Sequence, residues 1–328
     1  MNSSNLTLRE QNRAAALKRG EIVRRKKVFN AILFNFFRYT ILFGLCFVIL
    51  QPIIQQLLLA FRAPSDINDP TVIWIPRAWS VMNFHIGVRI LNYWVALGWT
   101  AFVTVIVTLL QLVSTGLAGY ALSRLRFKGS NIIFILVILT IIVPPQAVSL
   151  SQFLYFNRIG MTSGVGPLFL MNGFGMGLRS GIFIFIFKTF FQGLPKELEE
   201  SAQIDGANSF RIFWNIMLPN ARGAIITVSL FAFVWQWNDN YMVAVLSTST
   251  TELPLLTTML MNMNEGMAMA IRDAGVSHLV GDEVATNPRY IALIANVSAF
   301  MIMLPILIAY FFVQKQFVES VERSGIVG

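Results

Sequence analysis

Reactive chemistry needs nucleophiles, bases or metal ligands at workable spacing, and this sequence supplies few. Its two histidines, His85 and His278, have no cysteine or carboxylate at ligand spacing, so no metal site is expected. The one cysteine, Cys46, lies inside an apolar run, which excludes a disulfide framework. No Gly-x-x-x-x-Gly-Lys-Ser/Thr occurs to cradle a nucleotide phosphate, and Gly173-x-Gly175-x-Gly177 lacks the strand and the lysine such a cradle needs. The chain is therefore expected to be catalytically silent and to carry no cofactor. Any energy input must come from a partner.

Polar residues inside apolar runs are the second place to look, because they are expensive in hydrocarbon and face protein or water. They are Gln51, Gln55 and Gln56, then Gln111, Ser114 and Thr115, Gln146 beside a double proline, Arg179, the Gln236–Asn240 cluster, and Asn296 with Ser298. For any one of them, hydrogen bonding between helices is the ordinary reading. As a set they would line a polar passage. Asn238 and Asp239 between Trp237 and Tyr241 offer hydrogen-bond partners beside an aromatic face, which suits a neutral polyol; Gln146 and Asn296 complete this candidate substrate path.

The densest polar island is Pro195–Pro219, Pro-Lys-Glu-Leu-Glu-Glu-Ser-Ala-Gln-Ile-Asp-Gly-Ala-Asn-Ser-Phe-Arg-Ile-Phe-Trp-Asn-Ile-Met-Leu-Pro. Its pattern predicts two short helices with a corner between them. Pro195 suits the first helical position, and Glu197, Glu199 and Glu200 meet the positive end of the helix dipole. Gly206 stands where a helix takes a left-handed terminal residue. Asn208 or Ser209 caps a second helix carrying Phe210, Ile212, Phe213 and Ile216, which Pro219 closes. Ser201 and Ala202 leave one face flat for a close approach by another surface.

The elements that position these residues are membrane helices. Of the 328 residues 55% are hydrophobic and only 12% charged, against about a quarter charged in soluble domains. Mean hydropathy is +0.64. Apolar runs long enough to span a bilayer fall near Tyr39–Phe61, Trp94–Leu122, Ile132–Leu150 (broken near its end by Pro144-Pro145), Pro167–Phe191, Arg222–Leu246 and Tyr290–Val313. The fold class expected is all-α, a polytopic integral membrane protein with six transmembrane helices. The fourth is the least regular, since glycines crowd Gly160–Gly181 and suggest a short re-entrant or scaffold helix before the span proper.

Loop charge sets the orientation. Lys18, Lys26, Lys27, Lys128, Lys188, Lys196 and Lys315 all fall on the side shared with the N-terminus, as do Arg124 and Arg126. Opposite loops dilute Arg62, Arg77, Arg89, Arg158, Arg272 and Arg289 with Asp66, Asp69, Glu252, Glu265, Asp273, Asp282 and Glu283. Both termini, and the island at 195–219, are thus expected in the cytoplasm. The net charge of +9 follows from this topology rather than from nucleic acid. Residues 1–38 form a basic cytoplasmic tail without a cleavage site, read as a solvated and partly disordered extension of an uncleaved anchor. Residues 39–93 hold the first span and an outer loop, 94–313 a five-helix membrane domain that includes the island at 195–219, and 314–328 a short cytoplasmic tail. Trp94, Trp99, Trp235, Trp237 and Tyr241 stand near predicted outer ends of spans, as interface anchors do.

Glu200-Ser201-Ala202, then Gly206, then Ile216-x-Leu218-Pro219 resembles the cytoplasmic loop signature of permease subunits of ABC importers, with Ser201 the sole small-for-small departure. The wider chain, over about residues 35–328, resembles the maltose-type carbohydrate permeases. Pro144-Pro145-Gln146 leading to Leu154-Tyr155 and Ile159-Gly160-Met161 looks like that group's third span and following loop, Trp237-Asn238-Asp239 like its fifth-span motif, and Phe317-Val318 with Gly325-Ile326-Val327-Gly328 like its tail. The resemblance implies a bacterial plasma-membrane subunit that imports a sugar. Its implied partners are a second permease, two ATP-binding subunits and an external solute-binding protein. It also implies that Glu200, Ser201, Ala202, Gly206, Ile216, Leu218 and Pro219 form the loop that docks on the ATPase. The long basic N-terminus and the Gly/Met-rich fourth span depart from the group's pattern. The alternatives are an importer permease for a non-sugar solute, and a stand-alone channel or secondary transporter. The latter is disfavoured by the lack of internal repeats, the scarcity of intramembrane carboxylates for ion coupling, and a cytoplasmic loop built for docking.

Overall fold

The computed structural model describes residues 3–67, 69–125, 127–161, 164–246, 253–262, 271 and 287–325. His278, Arg126, the closing 326–328 and most of 247–286, expected as an outer loop, lie outside them. The chain divides into two units, Met1–Leu59 and Ala60–Gly328. Among the described residues the structure is helical, with one isolated antiparallel bridge, Arg62 to Trp79.

The first unit belongs to a single helix, α1 (Ser3–Ala60). The tail expected to be partly disordered is instead helical from Ser3, because no proline interrupts the chain before Pro52. The apolar part, Arg25–Ala60, is long enough to cross a bilayer. Its large side chains between Val28 and Ile54 are exposed.

The second unit is built on α3 (Tyr93–Arg124), which follows the short α2 (Met82–Ile90). At about 1.5 Å per residue its 32 residues extend some 48 Å, more than a bilayer's hydrocarbon. Ala96, Thr100, Val103, Thr104, Val107, Gln111, Thr115 and Gly119 are buried at three- and four-residue spacing, one continuous helical face. Thr100 Oγ1 donates to Ala96 O and Thr108 Oγ1 to Thr104 O within the helix, both at 2.7 Å, and Thr100 Oγ1 also accepts from Leu256 N at 2.9 Å.

After α3 come α4 (Ser130–Ile142) and α5 (Pro145–Arg158), bent by 104° at the double proline. The expected third span is therefore a corner rather than a rod with a weak end. Pro144 is extended (ψ 134°) and Pro145 opens the new helix, as the steric rules for X-Pro require. The expected fourth span is also interrupted, into α6 (Gly166–Gly173) and α7 (Ser180–Gly193). Side chains of α3 satisfy the broken backbone. Ser114 Oγ donates to Asn172 O at 2.7 Å, and Gln111 Nε2 to Leu178 O at 3.0 Å. The polar residues of α3 thus do the ordinary work of helix–helix bonding.

α3 and α7 approach most closely at Gly119. A Cβ there would lie 2.6 Å from Phe187 Cβ and 2.9 Å from Lys188 N, which is backbone and cannot rotate aside. Gly119→Val should therefore force the two helices apart and destabilise the protein by about 1–3 kcal/mol. The check is a lower thermal midpoint in detergent, with Gly98→Val, which meets nothing within 4 Å, as the neutral control.

Beyond the corner segment described below lie α11 (Arg222–Trp237) and α12 (Tyr241–Leu246), with a break at 238–240, and then the closing helix α13 (Pro288–Gly325). α13 runs past Val313, where a separate tail was expected, because nothing after Pro305 breaks it. By length and composition α1, α3 and α13 can each cross a membrane. Counting the bent pair α4–α5, and the bent pair formed by 209–220 with α11, makes up to five crossings; α7, at 14 residues, is short.

The segment between α1 and α2 is tied together by side chains. Asp66 Oδ2 accepts from Arg77 N (3.0 Å) and Ala78 N (2.9 Å), and Asn83 Nδ2 donates to Ala60 O (2.9 Å) and Arg62 O (2.7 Å). Asp69 accepts from Thr71 Oγ1 and Thr71 N, and pairs with Arg77 at 3.0 Å. The Thr71 hydroxyl, then the Thr71 amide, hold the Asp69 carboxyl below its ordinary 3.8. A depressed folded value means the contribution is present above 3.8 and lost as pH falls through the lowered value. Protection of the Thr71 amide, taken relative to its intrinsic exchange at each pH, should fall across that acidic window, and Asp69→Asn should remove that fall.

Candidate functional site

The island at 195–219 forms the predicted corner. Its first helix, α8, is Glu197–Ile204, with Glu197, Glu199 and Glu200 in the first turn. Gly206 follows at φ +79°, a conformation costing an L-residue with a Cβ about 1 kcal/mol or more, and Ala207 N returns to Ala202 O at 2.9 Å. Asn208 caps the next turn, its Oδ1 accepting from Arg211 N at 2.9 Å. That turn, α9 (Ser209–Ile212), runs into a π segment at Phe213–Met217 and then α10 (Leu218–Asn220). Pro219 does not close the helix as expected. The wider π turn before it accommodates the proline, and Asn220 Nδ2 returns to Ile216 O at 2.7 Å. The chain bends 82° one residue later, around Ala221.

The corner divides the signature residues by face. Ala202, at 7% exposure, packs with Ile212, Phe213 and Met217 into a core shared with Tyr120 of α3, Phe187 and Phe191 of α7, and Val228 of α11; Ile216 and Leu218 pack against it. Glu200, Ser201, Gly206 and Pro219 are exposed. So one set of signature residues roots the corner and the other faces outward.

Two further features of the corner lie outside the sequence expectation. Arg124, at the end of α3, donates from Nε (3.0 Å) and Nη2 (2.5 Å) to Phe191 O, reaches Leu194 O, and pairs through Nη1 with Glu199 Oε2 at 3.6 Å. The two side chains are 6% and 12% exposed. Arg124 had counted only as a topological charge, and its partner lies 75 positions away (199 − 124). The second feature is an apolar outward face: Ile204 is 87% exposed and Phe210 64%, with Trp214 edge-on to Phe210. Large apolar groups bared at a polar corner mark an interaction surface. The signal was legible, since Ile204 is the lone apolar residue in Gln203-Ile-Asp-Gly206.

The candidate substrate-path residues are only partly brought together. Trp237 is buried, its Nε1 donating to Ile302 O of α13 at 3.1 Å, so its ring faces protein. Asp239 is buried and caps α12, with Oδ1 accepting from Met242 N at 3.0 Å. Asn238 is exposed but its Nδ2 donates to Val234 O of its own helix. Tyr241 OH lies 2.9 Å from Ser149 Oγ, which also donates to Gln146 O at 2.9 Å. These three therefore join α12 to α5, with the Gln146 side chain exposed. Asn296 is exposed on α13. Arg179 stands at φ +61° just before α7, its guanidinium 4.4 Å from the Trp235 ring centroid. Among the described residues no group of three or more His, Cys, Asp or Glu could hold a metal ion.

The described residues thus form apolar helices with a rooted corner that presents exposed polar and apolar groups. The chain belongs to the family of binding-protein-dependent transport system inner membrane components, which it matches over residues 111–323. It is 25% identical over 289 residues, 87% of this chain and 93% of the relative, to the arabinooligosaccharides transport system permease protein AraQ of Halalkalibacterium halodurans. To the maltodextrin transport system permease protein MdxG of Bacillus subtilis it is 27% identical over 297 residues, 88% and 95% of the two chains. Its fold is that of a chain in the crystal structure of a bacterial ABC transporter involved in the import of the acidic polysaccharide alginate. That match has a TM-score of 0.69 at 22% identity, over 87% of this chain and 96% of that one.

Proposed function

We propose that this chain is a permease subunit of an ATP-driven, binding-protein-dependent sugar importer in a bacterial plasma membrane. It forms half of the translocation pathway, opposite a second permease. An external solute-binding protein delivers the saccharide, and two ATP-binding subunits supply the work. The observation that carries the reading is the corner at 197–220: polar and apolar groups exposed outward, its other face rooted among α3, α7 and α11. Within the family matched, such a corner suits docking on the ATPase.

In this reading the chain crosses the membrane six times with both termini inside, the interrupted α6–α7 serving as the fourth crossing. α8 is the coupling helix. Glu200 and Ser201 face the ATPase, Gly206 permits the turn, and Ala202, Ile216 and Leu218 pass force into the bundle. Pro219 and Asn220 end the corner before α11. Closure of the ATPase pair on ATP displaces α8, and the cavity between the permeases turns from inward- to outward-facing.

The test is uptake by the complex, purified through this chain with its co-purifying subunits and reconstituted in proteoliposomes. Labelled oligosaccharides, neutral and uronate-bearing, would be offered with the cognate binding protein. Accumulation against a gradient that requires ATP and the binding protein supports the reading. Downhill flux independent of both would make the chain a channel.

A further inference from the structure

We propose that Arg179 is an anion-recognition point on the translocation path, and that the saccharide imported carries a carboxylate. This rests on the importer reading above and specifies its substrate class. The argument begins with depth. α7 runs from Ser180 to Gly193, so its 14 residues extend about 21 Å, less than the roughly 30 Å of hydrocarbon in a bilayer. With the far end of α7 joined to the cytoplasmic corner, Arg179 stands within the membrane rather than at its outer surface.

A guanidinium at that depth is retained where it faces protein or water. Arg179 does both. It rests on Trp235, whose ring lies near-parallel to those of Phe183 and Phe231, and it lines a cavity of about 700 Å³ where the α4–α5 bend meets the break before α7. Its side chain is exposed, and among the described residues no carboxylate pairs with it. The cation–π contact leaves the planar N–H edges free, and that edge fits a carboxylate bidentately.

Two further groups at the cavity lack partners. Gln152 Oε1 is a buried acceptor and Ser180 Oγ a buried hydroxyl, each without a hydrogen bond among the described residues, and both residues line the cavity. An acceptor left open calls for a donor, which a sugar hydroxyl supplies and a carboxylate does not. A ligand satisfying Arg179 and Gln152 together has an anion and hydroxyls on one small frame: a uronate-type saccharide. The φ of +61° at a residue with a long side chain is a strained choice that sets this guanidinium at the break.

The test is calorimetric titration of the intact complex in nanodiscs of zwitterionic lipid. The probes are digalacturonate, the matching neutral disaccharide, and inorganic phosphate. Digalacturonate should bind saturably and the neutral sugar at least about tenfold more weakly. Arg179→Gln should weaken digalacturonate by about tenfold or more and leave the neutral sugar unchanged, with Arg179→Lys between the two. Melting temperatures report whether each variant folds. Three results overturn the proposal: no saturable digalacturonate binding, equal affinity for the neutral sugar, or an Arg179→Gln variant of wild-type affinity. Displacement by phosphatidylglycerol in the disc, or by phosphate at equal concentration, would also overturn it and make the site a lipid-headgroup or plain anion site. Failure of the importer reading shows separately, as absence of ATP-binding subunits from the wild-type complex.

Discussion

Glu199→Gln should leave the complex assembled and hydrolysing ATP while cutting sugar moved per ATP by about tenfold, the equivalent of about 1.4 kcal/mol of lost coupling. The reason lies in what Arg124 holds. One guanidinium ties the end of α3 to the last carbonyls of α7 and to the first turn of α8. On the proposed coupling role, a push on α8 is therefore passed to α3 and the end of α7 through a buried ion pair. Neutralising Glu199 removes the link to α8 and leaves the carbonyl bonds in place. Arg124→Ala strips all of these and leaves Glu199 buried without its counter-ion, so it should also lower stability, by about 3–5 kcal/mol. Parallel measurement of uptake and phosphate release separates the two effects. Wild-type stoichiometry in Glu199→Gln would show that the ion pair only braces the corner.

Ile204→Asp with Phe210→Asp should abolish ATPase binding, weakening it by about a hundredfold or more, without unfolding the chain. Truncating or charging central apolar anchors of an interface typically costs about 2–4 kcal/mol each. Both side chains are largely exposed, and neither belongs to the core that roots the corner, so the fold loses little. Binding of the ATPase subunit to nanodisc-held variants, read by interferometry, gives the affinity. A control at Asn215, exposed on the same turns but polar, should bind normally as Asn215→Asp. Full ATPase affinity in the double variant would move the docking surface elsewhere.

Much of this was legible in the sequence because membrane helices and caps are local. Apolar run lengths located α1, α3 and α13, and the island's carboxylates, Gly206 and Asn208 located the corner. What the sequence hid was set by distance or by context. Arg124 and Glu199, on α3 and α8, are far apart in sequence and meet only in the folded chain. Trp237 looked like a free aromatic face but is consumed by Ile302 O of α13. Pro219 looked like a stop because the π turn that absorbs it has no local signature. The double proline announced a break without announcing a 104° corner. The helical tail from Ser3 depends on uninterrupted propensity, which composition alone reads as solvated charge.

The most direct measurement is a pull-down from native membranes, comparing the intact chain with a Glu200→Arg, Gly206→Pro double variant and reading the co-purifying proteins by mass spectrometry. The importer reading predicts an ATP-binding subunit and a second permease with the intact chain, and loss of the ATP-binding subunit from the variant while the second permease remains. An intact chain that purifies alone or as a homo-oligomer would contradict it.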